Sequence, residues 1–187
     1  MRVIAGSARR IQLKSLEGES TRPTLDRYKE TLFNTIQTYV PDSYFIDVFA
    51  GTGSIGIEAL SRGARKAVFI ENNKKAVAVI NENLEKTHLS DKAEVMAGDA
   101  ISSLMRLESR GAADVIFIDP PYNRGYELQT LKLLNGSALA GEDTLIVVEA
   151  SNDTELSELS ELGFDIIKTK DYRTNRHIFL MRKETKT

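Results

Sequence analysis

The sequence predicts an α/β fold, with a mostly parallel sheet covered by helices on both faces. Three observations carry the prediction. From Tyr44 onward, short apolar runs alternate with stretches of helical spacing, and repeated β-α units of this kind build parallel sheets buried on both sides. Between the first run and the first of these helices lies Gly51-x-Gly53-x-x-Gly56, the strand–loop–helix setting in which a glycine loop approaches a ligand. The last two runs, "FDIIKTKDY" and "RHIFLMRK", have no helix between them and read as an antiparallel pair.

In chain order, "MRVIAG" and "RRIQLKS" read as two short strands joined by "SA", an N-terminal hairpin. "EGESTRPT" is polar and rich in turn formers, hence a loop. Leu25, Tyr28, Leu32, Phe33 and Ile36 recur at helical spacing and predict a helix over Leu25–Thr38, closed by Pro41. Strands follow at "YFIDVFA", "KAVFIE", "AEVMAG", "ADVIFID" and "TLIVVEA". Helices fall between them at Ser54–Arg62 (Ser54 as cap, Gly63 as stop), Asn73–Thr87, Asp99–Glu108 and Tyr126–Leu134, with a last one at "DTELSELSEL". The chain of 187 residues suits one domain. Residues 1–40 form its hairpin-and-helix extension and residues 41–187 its core. Right-handed crossovers bring the loops that follow the strands to one sheet edge, where ligands bind.

Composition narrows the function. Hydrophobic residues make up 41% and charged residues 28%, ordinary for a globular protein, and no apolar run is long enough to span a bilayer. The first residues lack the pattern of a signal peptide, so a cytoplasmic location is expected, with no membrane and no obligate protein partner. Cysteine is absent, which excludes disulfides, thiolate zinc sites and cysteine nucleophiles; no metal site is expected. The net charge of −2 hides an asymmetry. Residues 1–14 carry Arg2, Arg9, Arg10 and Lys14 without an acid, whereas residues 137–165 carry eight acids and no Lys or Arg. From Lys168 the chain is basic again. Such ends suit a polyanion, although ordinary solvated faces read the same way.

The glycine loop alone fits any adenosyl cofactor. Glu71 ends the next strand twenty positions after Gly51, where an acid can accept from both ribose hydroxyls. Asp99, after the third strand, can meet the adenine amino group, cap the following helix, or do both. Asp47 lies four residues before Gly51. A carboxylate there repels a pyrophosphate and favours the ammonium and sulfonium of S-adenosylmethionine, or else it braces the loop backbone. Phe49, Gly51, Gly53, Asn72 and Ala100 complete the candidate cofactor set.

"IFIDPPY" puts Asp119, Pro120, Pro121 and Tyr122 at the end of the fourth core strand, on the same edge. Consecutive prolines stiffen the turn and remove two N–H donors, leaving a carboxylate and fixed carbonyls beside an aromatic ring. Such an acceptor wall suits methyl transfer to an exocyclic amino group, whose lone pair is delocalised into the base. Acceptors on its hydrogens favour rehybridisation and stabilise the positive charge that develops. Asp119 and the Pro120 carbonyl are the candidate acceptors, and Tyr122 the ring that stacks on the base.

With these motifs the chain resembles the class I S-adenosylmethionine-dependent methyltransferases, and among them the RsmD family. "RVIAGSARR", "TRPTLDRYKETLFN", "DVFAGTGSIGIEALSRGA" and "DPPY" carry the resemblance over nearly the whole chain. It implies a Rossmann-like seven-stranded sheet and methylation of the N2 amino group of one guanine in 16S rRNA, within an assembled or assembling small subunit. It also implies that Asp47, Gly51, Gly53, Glu71 and Asp99 line the cofactor site and that Asp119, Pro120 and Tyr122 engage the guanine. Arg9, Arg10, Arg22 and Arg27 are then candidates for RNA phosphates; Arg22 or Arg27 could instead pair with Glu30 or a helix end. A DNA adenine-N6 methyltransferase shares "DPPY", and an RNA-binding module with a vestigial cofactor site is the non-catalytic alternative.

Overall fold

The computed structural model describes residues 1–16, 23–121, 124–154, 159 and 161–183. The elements run α1 (Pro23–Thr35), β1 (Tyr44–Val48), α2 (Ser54–Ser61), β2 (Lys66–Glu71), α3 (Lys74–Thr87), β3 (Ala93–Ala97), α4 (Ala100–Leu107), β4 (Val115–Ile118), α5 (Tyr126–Gly136), β5 (Leu145–Ser151), β6 (Phe164–Asp171) and β7 (Asn175–Arg182). They build one seven-stranded sheet of order β3-β2-β1-β4-β5-β7-β6. The first five strands are parallel, and β7 enters antiparallel between β5 and β6. Most of the "DTELSELSEL" helix lies outside the described residues.

The central strands β1, β2, β4 and β5 are largely apolar on both faces because helices cover both. Side chains alternate along each strand, so Phe45, Phe117, Val147 and Phe179 face one core layer, with Leu32 and Phe33 of α1, Ile57 and Leu60 of α2, and Ile80 and Leu84 of α3. Ile46, Ile118, Val148 and Ile178 face the other, with Leu104 and Leu107 of α4 and Leu131 and Leu134 of α5. Strand order reverses between β1 and β4, the switch point at which such sheets open a crevice.

Three local expectations change. The N-terminal hairpin reduces to one antiparallel bridge, Arg2 opposite Gln12, supported by Val3 N–H to the Ile11 carbonyl and Leu13 N–H to that of Met1. The segment cannot extend the ladder because its donors point elsewhere. Ile4 and Ala5 N–H donate to the Glu58 carboxylate at 2.8 and 3.0 Å, and Ala8 N–H to the Ser61 hydroxyl at 3.0 Å. At α2, the residue before the helix is Gly53, not Ser54, with φ of 78° and no side-chain cap. A left-handed turn there demands glycine more than the helix demands a capping oxygen. Helix α1 also stops at Thr35 rather than Thr38, because the chain turns and Tyr39 N–H bonds the Ile36 carbonyl.

Glu58 is wholly buried and ties the N-terminal segment and α1 to α2. Besides Ile4 and Ala5 it holds Arg62 Nε at 2.7 Å and Lys29 Nζ at 3.4 Å, while Lys29 also donates to the Arg2 carbonyl at 2.6 Å. Glu58→Ala leaves the buried Lys29 ammonium and two backbone N–H groups without their acceptor. We expect a loss of about 3–5 kcal/mol, read as a lower urea midpoint, and a loss under 1 kcal/mol would remove Glu58 from this role.

Candidate active site

The crevice is a cavity of about 760 Å³ at the C-terminal ends of the strands, within the size range of small-molecule sites. Phe49, Glu71, Asn72, Asp99 and Ala100 line one part of it, and Asp119, Pro120 and Glu149 another. Two loops and two strand ends, far apart in sequence, therefore share one wall.

Each glycine of the loop has its own constraint. Gly51 donates its N–H to Glu71 Oε2 at 2.8 Å. Gly53 supplies the left-handed turn already described. At Gly56 a Cβ would lie 2.3 Å from the Phe69 ring, so α2 rests on β2 only through glycine. Phe49 precedes the loop with a φ of 65°, a conformation that costs a β-carbon residue about 1–3 kcal/mol and recurs at functional sites. Its ring meets that of Tyr126 with centroids 5.9 Å apart, giving the cavity a continuous aromatic side.

Asp47 lies beneath the loop rather than on the cavity wall. It is 2% exposed, and its Oδ2 accepts the Gly56 N–H at 2.8 Å, so it braces the backbone. Burial, opposed by that hydrogen bond and reinforced by Glu71, pushes its carboxyl up to about 7. Glu71 accepts from Gly51 with one oxygen and from Asn73 N–H with the other, at 2.7 Å. Asp99 caps α4, accepting from Ser102 N–H at 2.9 Å, a bond that holds its carboxyl below the ordinary range. Asp119 is held well above that range, by burial first and then by Glu149 and Asp47.

Glu149 is the residue that sequence reasoning missed. Ile118 and Val148 are register partners in β4 and β5, so Asp119, just past the end of β4, and Glu149, within β5, follow them side by side. Glu149 is in turn the register partner of His177 in β7, whose Nε2 lies 3.2 Å from Glu149 Oε2. The signal was present in "TLIVVEA", where an acid closes an otherwise apolar strand. The pairing of that strand with β4 was not. Tyr122 and Arg22 lie outside the described residues. Arg9, Arg10 and Arg27 are exposed and line a separate concavity of about 440 Å³ with Arg2.

These residues fit S-adenosylmethionine. Glu71 ends its strand where a ribose would rest, the loop backbone approaches closely, and a crevice edged by acidic side chains favours a cationic ligand. Fold and site together define a class I methyltransferase with S-adenosylmethionine as its cofactor. Comparison with known proteins agrees. Residues 1–181 match the family described as Conserved hypothetical protein 95, and the chain belongs to this, the RsmD family. It is 38% identical over 157 residues to ribosomal RNA small subunit methyltransferase D of Haemophilus influenzae, covering 83% of this chain and 81% of that one. The Escherichia coli protein of the same name is 34% identical over 157 residues, covering 83% and 77%. The solved structure of the Escherichia coli protein yhhF superposes with a TM-score of 0.84 at 30% identity, over 99% of each chain.

The raised Asp47 carboxyl has a consequence for stability. Between about pH 4 and 7 the native state keeps a proton that the unfolded chain has released. The contribution of Asp47 is therefore full at low pH and declines as pH rises through that window, by up to about 1.4 kcal/mol per unit. Asp47→Asn keeps an acceptor for Gly56 and removes the slope. Its unfolding free energy relative to wild type should rise by roughly 2 kcal/mol from pH 5 to pH 7. A flat difference would mean that Asp47 is already ionised in the fold.

Proposed function

We propose that the protein transfers a methyl group from S-adenosylmethionine to the exocyclic N2 amino group of a guanine in 16S rRNA, within the assembled or assembling small subunit. Family membership carries the coarse part, S-adenosylmethionine-dependent methylation of ribosomal RNA. The observation that carries the rest is the shared wall: Asp119 and Pro120 line the same cavity as Phe49, Glu71, Asp99 and Ala100. An amino group held at the former faces a methyl donor held by the latter.

The cofactor supplies an activated methyl group, so the protein must position and stabilise. Glu71 accepts the ribose hydroxyls, and Asp99 with Ala100 and Asn72 borders the adenine. Asp119 and the Pro120 carbonyl accept the two amino hydrogens, which draws the nitrogen lone pair out of conjugation and toward the methyl. The nitrogen gains positive charge as the bond forms, and the neighbouring carboxylate stabilises it until a proton is lost. Tyr122 stacks on the base. Guanine reaches this position by leaving its stack, since its amino group is otherwise shielded.

Arg9, Arg10 and Arg27 hold the RNA backbone, together with Arg22. Their exposure supports this, as does the lack of any ion pair to Arg9, Arg10 or Arg27 among the described residues. Arg10, which adopts a φ of 73°, is exposed.

Incubation of tritiated cofactor with unmethylated small subunits, free rRNA or DNA, followed by nucleoside mapping, tests the reading. Label is expected in N2-methylguanosine from rRNA, and N6-methyladenosine from DNA would replace the proposal. Asp119→Ala should lower the transfer rate by at least ~10²-fold while calorimetry finds cofactor affinity within a few fold; retained turnover would remove its role. Arg9→Ala with Arg10→Ala should weaken RNA binding and reduce the salt slope by roughly 1–2, and an unchanged slope would move the contact to the basic C-terminal strands.

A further inference from the structure

A second cavity, of about 280 Å³, lies behind the first, and Asp119 and Glu149 line both. It opens on the face of the sheet covered by α1 and α2, the face to which alternation directs Asp119, Glu149 and His177. Tyr28, Ile55 and Phe117 give it apolar walls. Asp119 and Glu149 put acceptors on its inner wall, and the Lys29 ammonium on the lining is already held by Glu58 and the Arg2 carbonyl. Asn175, which is 6% exposed, also lines it. Its amide nitrogen donates to Glu149 Oε1 at 2.5 Å, which orients its Oδ1, a buried oxygen with no hydrogen-bond partner among the described residues.

The geometry points to this cavity as the pocket for the target base, with Glu149 as the residue that selects guanine by accepting its N1–H. The inference rests on the reading of the site as a guanine-N2 methyltransferase. A reacting amino group must touch both the methyl donor and the base pocket, and only a wall common to two cavities allows that. Asp119 and Glu149 each follow one of the paired residues Ile118 and Val148, on neighbouring strands about 4.8 Å apart. Guanine presents two adjacent donor positions, N1–H and the N2 amino group, that match two adjacent acceptors. Adenine and cytosine each place an unprotonated ring nitrogen beside the amino group, and a carboxylate facing it is repelled.

Glu149 is held for this task from β7. Asn175 and His177, two residues apart on one strand face, engage its two oxygens. His177 is buried, and its Nδ1 lies 3.2 Å from the Tyr172 hydroxyl, whose ring packs on Tyr28 with centroids 4.7 Å apart. With Nε2–H facing the carboxylate, His177 and Asn175 are positioning residues that prevent its rotation. They connect the base wall to the aromatic side of the pocket.

The test uses the full chain and a short RNA containing the mapped target, with guanosine or 2-aminopurine riboside at that position. 2-Aminopurine keeps the amino group but has an unprotonated N1. Wild type should prefer guanosine on the order of 10²-fold in kcat/KM. Glu149→Gln, whose amide can donate to an unprotonated N1, should bring the two substrates within about threefold while cofactor affinity by calorimetry is retained. The loss of O6 affects both enzymes alike and cancels in the comparison. Thr174→Trp, an exposed position on the rim of the second cavity, should abolish both transfer and the rise in 2-aminopurine fluorescence that accompanies unstacking. An unchanged preference in Glu149→Gln, or full turnover by Thr174→Trp, overturns the inference even when the wild-type product is N2-methylguanosine. A different labelled nucleoside from the wild type overturns the reading on which it rests.

Discussion

Four carboxylates gather near the ends of four neighbouring strands, and much of this molecule is organised around the cost of keeping them together. Glu71 ends β2, Asp47 and Glu149 lie one and two residues before the ends of β1 and β5, and Asp119 follows β4; these strands lie as β2-β1-β4-β5 in the sheet. Parallel register forces the proximity, since each strand ends on the same edge. Burial, reinforced by neighbouring carboxylates, raises the carboxyls of Asp47 and Asp119. Backbone donors absorb part of the problem: Gly56 bonds Asp47, and Gly51 and Asn73 bond Glu71. A cationic ligand relieves the remainder, so the same electrostatic tension that costs stability favours the binding of a sulfonium.

The N-terminal segment answers a different constraint. It has too few residues to form a core of its own, so its backbone donors are satisfied by α2 rather than by a partner strand. Glu58 and Ser61, both on α2, accept from Ile4, Ala5 and Ala8. This fastens Arg9 and Arg10 beside Arg27 of α1 and forms a basic concavity on the outside of the helix layer. Basic surface and acidic crevice are thereby held apart by one helix, α2, whose N-terminus touches the crevice and whose C-terminal half grips the segment. A phosphate backbone and a cationic cofactor can be attracted to the same protein without competing.

Much of the architecture was legible from pattern. Runs such as "KAVFIE" and "ADVIFID" are short, apolar throughout and separated by helical spacing, which is the mark of strands buried on both faces. The cap of α4 was legible as well, because Asp99 is a local device that accepts from an N–H three residues on. Local physics failed at Ser54, where the left-handed turn at Gly53 took precedence, and in the N-terminal hairpin, whose donors are claimed by residues more than fifty positions away. Glu71, Asn72, Asp99 and Ala100 could be put forward as cofactor residues because each falls at, or within three residues after, the end of a strand.

The sequence by itself determined the elements, the ligand-binding edge and the chemistry of the individual groups, because alternation, turn residues and an acid after a strand act within a few residues. Only the tertiary structure decided which of those groups meet. That Asp47 faces Gly56 and not the open cavity follows from the descent of α2 onto Phe69. That Glu149 stands beside Asp119, with His177 and Asn175 behind it, follows from β5 pairing with β4 on one side and β7 on the other. Such pairings join residues tens of positions apart, and their energetics depend on the whole sheet closing at once. No short window of sequence contains them.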